Sequence, residues 1–398
     1  MPATAITGPL GTACCSRPRC SPAFARASAG SRSLNPSASP DRPTSGSGAP
    51  TNSGASAPAA PAASSPGGDF PPRLPMTNPT VLAPEEARAR VIRVGEVLKR
   101  YFVGKDELID LMVLCTATQE PLLLVGPPGT AKSDLIVKFA QSLSLAPGEY
   151  FEYMLTRFTE PSEIFGPIDI NQLRDGSYIR RVEGKIPSAK VVFLDEIFKS
   201  NSAILNSLLT ILNERKYYQD GVAVEAPLVM LFAATNSVAG YEEMDALRDR
   251  FILKVESAPV RHGQFEQLVS AGLTNEALRA LNQQPWAGIA SLDDFLAIRA
   301  HLDRQDHEAG GELGLSRWFP PAVFDLFRRI LAGLEGEELA VISDRKVIKL
   351  YRLLRTRAYL DHGGEVRPDD LRILAHLGES EEKFALVRER VTQMLRLA

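Results

Sequence analysis

The sequence predicts an α/β fold with a parallel sheet, preceded by a structureless leader and followed by an all-helical region. Three observations carry this. Short apolar runs bounded by turn residues recur at 122–125, 191–194, 228–234 and 251–255, and "VVFL" (191–194) is apolar at every position, as in a sheet covered on both faces. Segments of helical periodicity alternate with these runs, the pattern of a parallel sheet with crossover helices. Beyond about residue 258 the strand-like runs stop and only helical spacing remains.

The leader comes first. Residues 1–75 are dominated by Ala, Pro, Ser, Gly and Thr and hold few large apolar side chains, so they cannot bury enough surface to offset their ordering entropy. We expect disorder over 1–80, with either residue 1 or Met76 as the initiator. The leader has no acidic residue before Asp41 and is rich in Arg and Ser, as some transit peptides are, but it lacks an amphipathic pattern. Its six Arg and two Asp give +4, which leaves 39 basic and 46 acidic residues, or -7, on the body. A mildly acidic body argues against a dedicated nucleic-acid binder. Cys115 is the one body cysteine of four, so no disulfide framework is expected there. The five histidines show no close metal-ligand spacing, and His301 and His307 read as solvated. No run approaches the ~18 apolar residues of a membrane span. We expect a cytoplasmic protein with two units, 81–258 and 259–398.

In chain order, 84–102 places Val91, Val94, Val97, Leu98 and Tyr101 at helical spacing behind acidic residues suited to a helix start. Residues 106–119 read as a second helix, 122–125 as a buried strand and 131–145 as a helix. Strands follow at 150–156 and 191–194, then a helix at 202–215. In "KYYQDGVAVEA" (216–226), Asp220-Gly221 between β-prone residues signals a hairpin. Strands at 228–234 and 251–255 close the sheet. In the helical region, 343–360 puts Val347, Leu350, Tyr351, Leu354 and Ala358 on one face, with Ser343 or Asp344 as cap. Residues 367–377 start a helix on a proline, and Gly310, Gly311 and Gly314 mark a surface loop.

Chemistry concentrates in "LLLVGPPGTAKS" (122–133). A strand, a glycine-containing loop and a helix opening on Lys-Ser suit a phosphate, because exposed N–H groups and the helix's positive end attract an anion. Gly126 and Gly129 let the backbone curl; Pro127, Pro128, Thr130 and Ala131 complete the loop. Lys132 can reach β- and γ-phosphates and Ser133 can ligate Mg²⁺. Ala131 stands where the strict motif has glycine. The strand 191–194 then ends in Asp195-Glu196, adjacent carboxylates that are costly unless used. Asp195 suits the Mg²⁺ shell, and Glu196 can polarise an attacking water.

These residues, with "RFTEPSEIFGPIDI", "FLDEIFKSNSAILNSLLTILNER", "AATN", "ALRDRF" and "SDRK" in order, resemble the MoxR family of AAA+ ATPases, most closely its RavA-like subgroup, over about 84–398. The resemblance implies a P-loop core with a parallel five-stranded sheet and an all-α lid, binding ATP and Mg²⁺. It makes Asn236 the sensor of water and γ-phosphate. Arg250 becomes the arginine finger, with Arg248 as the alternative, and Arg345 the lid's second sensor. Val103 and Gly104 would line the adenine pocket. It makes 166–185 an insertion that projects from a ring and, with "KYYQDG", faces its opening; from the residues alone a plain surface hairpin serves as well.

The implied activity is ATP hydrolysis driving chaperone-like remodelling or cofactor and metal insertion. The implied assembly is a homo-hexamer working with a von Willebrand factor A domain protein and a client complex. Two rival readings stay open: a nucleotide-dependent scaffold with little turnover, against which Glu196 speaks, and a nucleic-acid motor, against which the acidic body speaks.

Overall fold

The computed structural model describes residues 83–236, 247, 249–260, 262–309 and 317–397. The expected leader, the Gly310–Gly314 loop and Arg248 lie outside the described residues.

Five strands form one parallel sheet: β1 (Leu122–Val125), β2 (Tyr150–Met154), β3 (Val191–Asp195), β6 (Met230–Thr235) and β7 (Leu253–Glu256), in the order β2-β3-β6-β1-β7. β1 is thus an interior strand, pairing with β6 through Leu122↔Phe232 and with β7 through Leu122↔Leu253. The remaining strands, β4 (Lys216–Gln219) and β5 (Val222–Glu225), make the expected antiparallel hairpin around Asp220-Gly221.

Alternation along each strand sends side chains to two separate cores. Leu122, Leu124, Val191, Phe193, Phe232 and Val255 face one layer. That layer holds α1 (Pro84–Lys99), α2 (Asp106–Thr118), α3 (Lys132–Gln141) and the C-terminal helices. Leu123, Val125, Val192, Leu194 and Leu231 face the other, built on α4 (Pro161–Phe165) and α6 (Ser202–Glu214). Both faces are covered, which is why β1 and the first four residues of β3 are apolar at every position. Between α4 and α6 a short α5 (Ile170–Arg174) has no buried residue.

From residue 265 onward the described chain is helical: α7 (Phe265–Ala280), α8 (Leu292–Ala309), α9 (Pro321–Gly336), α10 (Asp344–His362) and α11 (Glu381–Arg396). α10 starts where the sequence requires, with Ser343 Oγ accepting from the Lys346 N–H at 3.3 Å. Leu350, Leu353 and Leu354 of α10 are fully buried, each adding up to about 1.5–3 kcal/mol by transfer. Polar ties join this region to the sheet's first elements: Arg88 Nε donates to Tyr359 O at 2.6 Å, and Lys349 pairs with Glu120.

Two expectations need correction. The segment 367–377 forms 3₁₀ turns over Pro368–His376, not an α-helix. Pro368 opens it, and the Asp370 carboxylate accepts from the Arg367 N–H at 2.7 Å and pairs with His362 at 3.1 Å, tightening the first turn. His301 is half-buried, its ring 5.5 Å from that of Tyr359.

Residues 166–185 and the β4–β5 hairpin are stitched together. The Tyr178 N–H donates to Asp220 Oδ1 and the Asp220 N–H donates to Tyr178 O, both at 3.1 Å, and Gln219 Nε2 donates to Arg180 O at 3.1 Å. Ile170, Leu173, Tyr178, Tyr218 and Val222 are exposed on this composite projection. Gly166 is required at its root, because a Cβ there would lie 1.9 Å from Arg181 O.

Candidate functional site

The parallel order brings the C-terminal ends of β1, β3 and β6 side by side, and the sequence-predicted polar residues stand there. After β1, the backbone turns through Gly126 into an exposed Pro127-Pro128-Gly129 loop. Gly126 cannot carry a side chain, since a Cβ would lie 2.5 Å from Ser257 O at the exit of β7. Gly129 has φ +81° with open space around its missing Cβ. Thr130 Oγ1 ties the loop to itself by donating to Pro127 O at 2.9 Å.

Ala131 explains the motif's preference for glycine at its position. It caps α3 with φ 60° and ψ 23°, the left-handed region that costs an L-residue about 1–2 kcal/mol. Alanine's small Cβ lets the turn form, at that cost.

Lys132 is buried, and its Nζ donates to Gly126 O at 2.6 Å, Pro127 O at 3.0 Å and Asn236 Oδ1 at 3.4 Å. Burial lowers its pKa, while Asp195 and Glu196 act to raise it. Ser133 Oγ donates to Asp195 Oδ2 at 3.4 Å, and Asp195 Oδ1 accepts from the Glu196 N–H at 2.9 Å. Glu196 is buried at φ 55°, in the left-handed turn that ends β3. Its Oε1 accepts from Asn236 Nδ2 and pairs with Lys199 at 3.3 Å. Lys132, Asn236 and Glu196 therefore form one chain of contacts, and Ser133 and Asp195 a second beside it.

Two donor sets test what the site can hold. Among the described residues, no protein acceptor engages the N–H groups of Gly129, Thr130, Ala131, Lys132 or Ser133. Five free amides, the N-terminus of a ten-residue helix and an ammonium fit a polyphosphate. The Ser133 hydroxyl and Asp195 carboxylate are hard oxygen donors, suited to Mg²⁺.

Other predicted residues are not in this cluster. Val103 is half-buried and Gly104 exposed, at φ +68°. A Cβ on Gly104 would lie 3.0 Å from Gln264 Oε1, so the turn abuts the segment after β7. Arg250 pairs with its neighbour Asp249 at 3.2 Å, and its buried Nε has no hydrogen-bond partner among the described residues. Arg345 is exposed near the start of α10 and makes no ion pair among the described residues.

Sequence reasoning missed two polar residues. Lys199 carries no signal in the sequence beyond its charge, and it pairs with Glu196. Lys105 reads as part of a charged helix start, "GKDE", yet its side chain is buried; Nζ donates to Ser257 Oγ at 3.0 Å and Ala258 O at 2.6 Å. No local signal marks Ser257 except its place after the last strand.

Comparison with known proteins agrees with this architecture. The MoxR domain of the MoxR-vWA-beta-propeller ternary systems matches residues 89–295, and an AAA lid domain matches 322–391. Two uncharacterized proteins of Methanocaldococcus jannaschii are 32% identical over 286 residues and 31% identical over 297. These alignments cover 72% and 73% of this chain and 70% of each relative. Chaperone MoxR1 of Mycobacterium tuberculosis is 27% identical over 162 residues, 40% of this chain and 41% of that protein. A Cytophaga hutchinsonii crystal structure, described as a candidate ATPase, shares the fold with TM-score 0.58 at 19% identity, covering 79% of this chain and 96% of its own.

Proposed function

Taking as premise that this chain belongs to the MoxR family of AAA+ ATPases, we propose that it binds Mg-ATP at the β1–α3 loop and hydrolyses it. The contact chain Lys132–Asn236–Glu196 carries the proposal, because it joins a phosphate-binding cation to a carboxylate able to accept a proton from water. The loop amides from Gly129 to Ser133 hold phosphate oxygens, and Gly126, Pro127 and Pro128 shape the curve. Ser133 and Asp195 would hold Mg²⁺, which when bound neutralises charge on the phosphates. Glu196, its Oε1 fixed by Asn236 and Lys199, orients the attacking water and takes its proton. Val103 and Gly104 would contact the adenine.

Arg250, or else Arg248, acts as a finger on a neighbouring subunit's nucleotide, and Arg345 contacts the γ-phosphate from the same chain. Among the described residues, neither Arg250 nor Arg345 pairs with the phosphate loop of its own chain, which is compatible with a finger acting in trans and a moving lid. Assembly as a homo-hexameric ring belongs to this proposal, as do membership of the RavA-like subgroup and division into a core (81–258) and a lid (259–398). The family's description from MoxR-vWA-beta-propeller systems supports a von Willebrand factor A domain protein as partner and remodelling of a client complex as the task. No helix among the described residues is long and apolar enough to cross a membrane.

The test compares phosphate release and ATP affinity for wild type, Glu196→Gln and Lys132→Ala. Expected are turnover in wild type, retained binding with at least ~10²-fold slower turnover for E196Q, and lost binding for K132A. Equal turnover in wild type and E196Q refutes the assignment of Glu196. Binding that survives K132A unchanged refutes the site.

A further inference from the structure

Among the described residues, Lys105 has no acidic partner. The residue is 6% exposed, and its ammonium is held by one hydroxyl and one carbonyl, Ser257 Oγ and Ala258 O. Among the described residues no carboxylate forms an ion pair with it. Buried lysines ordinarily have an acidic partner, because removing the ion from water is costly. The charged group that acts on Lys105 most strongly is another cation, Lys132; burial first and then Lys132 lower its pKa. Lys132 by contrast has Asp195 and Glu196 nearby in charge.

Its position is equally specific. Ser257 Oγ, which accepts from Lys105, donates to Thr130 O in the phosphate loop at 3.2 Å. The Ser257 N–H donates to Val125 O at 2.7 Å, at the root of that loop. One hydroxyl therefore links the second buried ammonium to the segment that would hold phosphates.

We infer that Lys105 is the second cation of the nucleotide site, that the missing counter-charge is the polyphosphate, and that Lys105 favours phosphorylated over unphosphorylated nucleosides. This rests on the nucleotide reading above. A purely mechanical strut would use the same hydrogen bonds but would not distinguish ligands by charge.

The experiment measures ATP and adenosine binding to the full chain, by displacement of a fluorescent ATP analogue, for wild type, Lys105→Gln and Lys105→Arg, with melting temperatures alongside. Expected for K105Q is ATP binding weakened about ten-fold or more, with adenosine unchanged. K105R restores most of the loss. K105Q weakening both ligands equally, or neither, overturns the inference. If K105Q does not fold, pulsed acetylation of wild type read by mass spectrometry replaces it: ATP should slow modification of Lys105 and adenosine should not, and equal rates overturn the inference. Wild type that fails to bind ATP sinks the nucleotide reading and this inference together. Wild type that binds while K105Q matches it sinks this inference alone.

Discussion

Replacing Gly126 by alanine tests the geometry of the site mechanically. The new Cβ would lie 2.5 Å from Ser257 O and 3.2 Å from its carbonyl carbon. Both neighbours are backbone, so no side-chain tip can swing away. Relief requires the exits of β1 and β7 to part by roughly 1 Å, since ordinary Cβ contacts begin at 3.4 Å. Overpacking of this kind costs about 1–3 kcal/mol. The parting also strains the Ser257 N–H bond to Val125 O and the Ser257 Oγ bond to Thr130 O. Each is worth about 0.5–1.5 kcal/mol, so the total is about 2–6 kcal/mol. Gly129→Ala is the control: with nothing near its Cβ, only the left-handed penalty of about 1–2 kcal/mol applies. Equilibrium urea unfolding of the full chain reads both. We expect G126A to lose more stability than G129A and to bind ATP more weakly than wild type. A G126A midpoint equal to wild type, or a G129A loss as large as that of G126A, refutes the steric reasoning.

Three further outcomes follow from other residues. Ala131→Gly should leave stability unchanged or raise it by up to ~1 kcal/mol, because it relieves the left-handed turn while adding freedom to the unfolded chain; a clear loss in urea unfolding contradicts the strain argument. Glu107 has its pKa lowered below the ordinary 4.5, first by the hydrogen bond from His376, so its contribution is present above about pH 4.5 and lost as pH falls through the lower folded value. Melting temperatures between about pH 6 and pH 3 should therefore fall less steeply for Glu107→Gln than for wild type; parallel curves count against the pair. If Arg250 serves a neighbour's site, Arg250→Ala should keep ATP affinity and lower turnover. Mixing it with Glu196→Gln protein should then restore part of the rate, and no recovery at any ratio argues that the arginine acts within its own chain.

Periodicity made the strands and most helices legible because the sheet is covered on both faces: "VVFL" has nowhere to be but a central strand, and Ser343 announces the helix it caps. The phosphate loop and acid pair were legible because their residue types are expensive anywhere else. Lys105 and Lys199 were not, since a lysine beside a helix start or a strand end looks solvated until tertiary contacts bury it or pair it. The 3₁₀ turns at Pro368–His376 hid for a related reason: the apolar spacing is the same, and the capping carboxylate of Asp370 decides the tighter winding. The segment 166–185 resisted reading because its order depends on Asp220, whose two bonds to Tyr178 span 42 residues of sequence.

That staple closes a circuit. The chain leaves Tyr178, runs through β3 with Asp195 and Glu196 at its end, passes along α6 and returns at Asp220. The segment that carries the acid pair is therefore pinned at both ends by one residue pair, Tyr178 and Asp220, 42 residues apart in sequence.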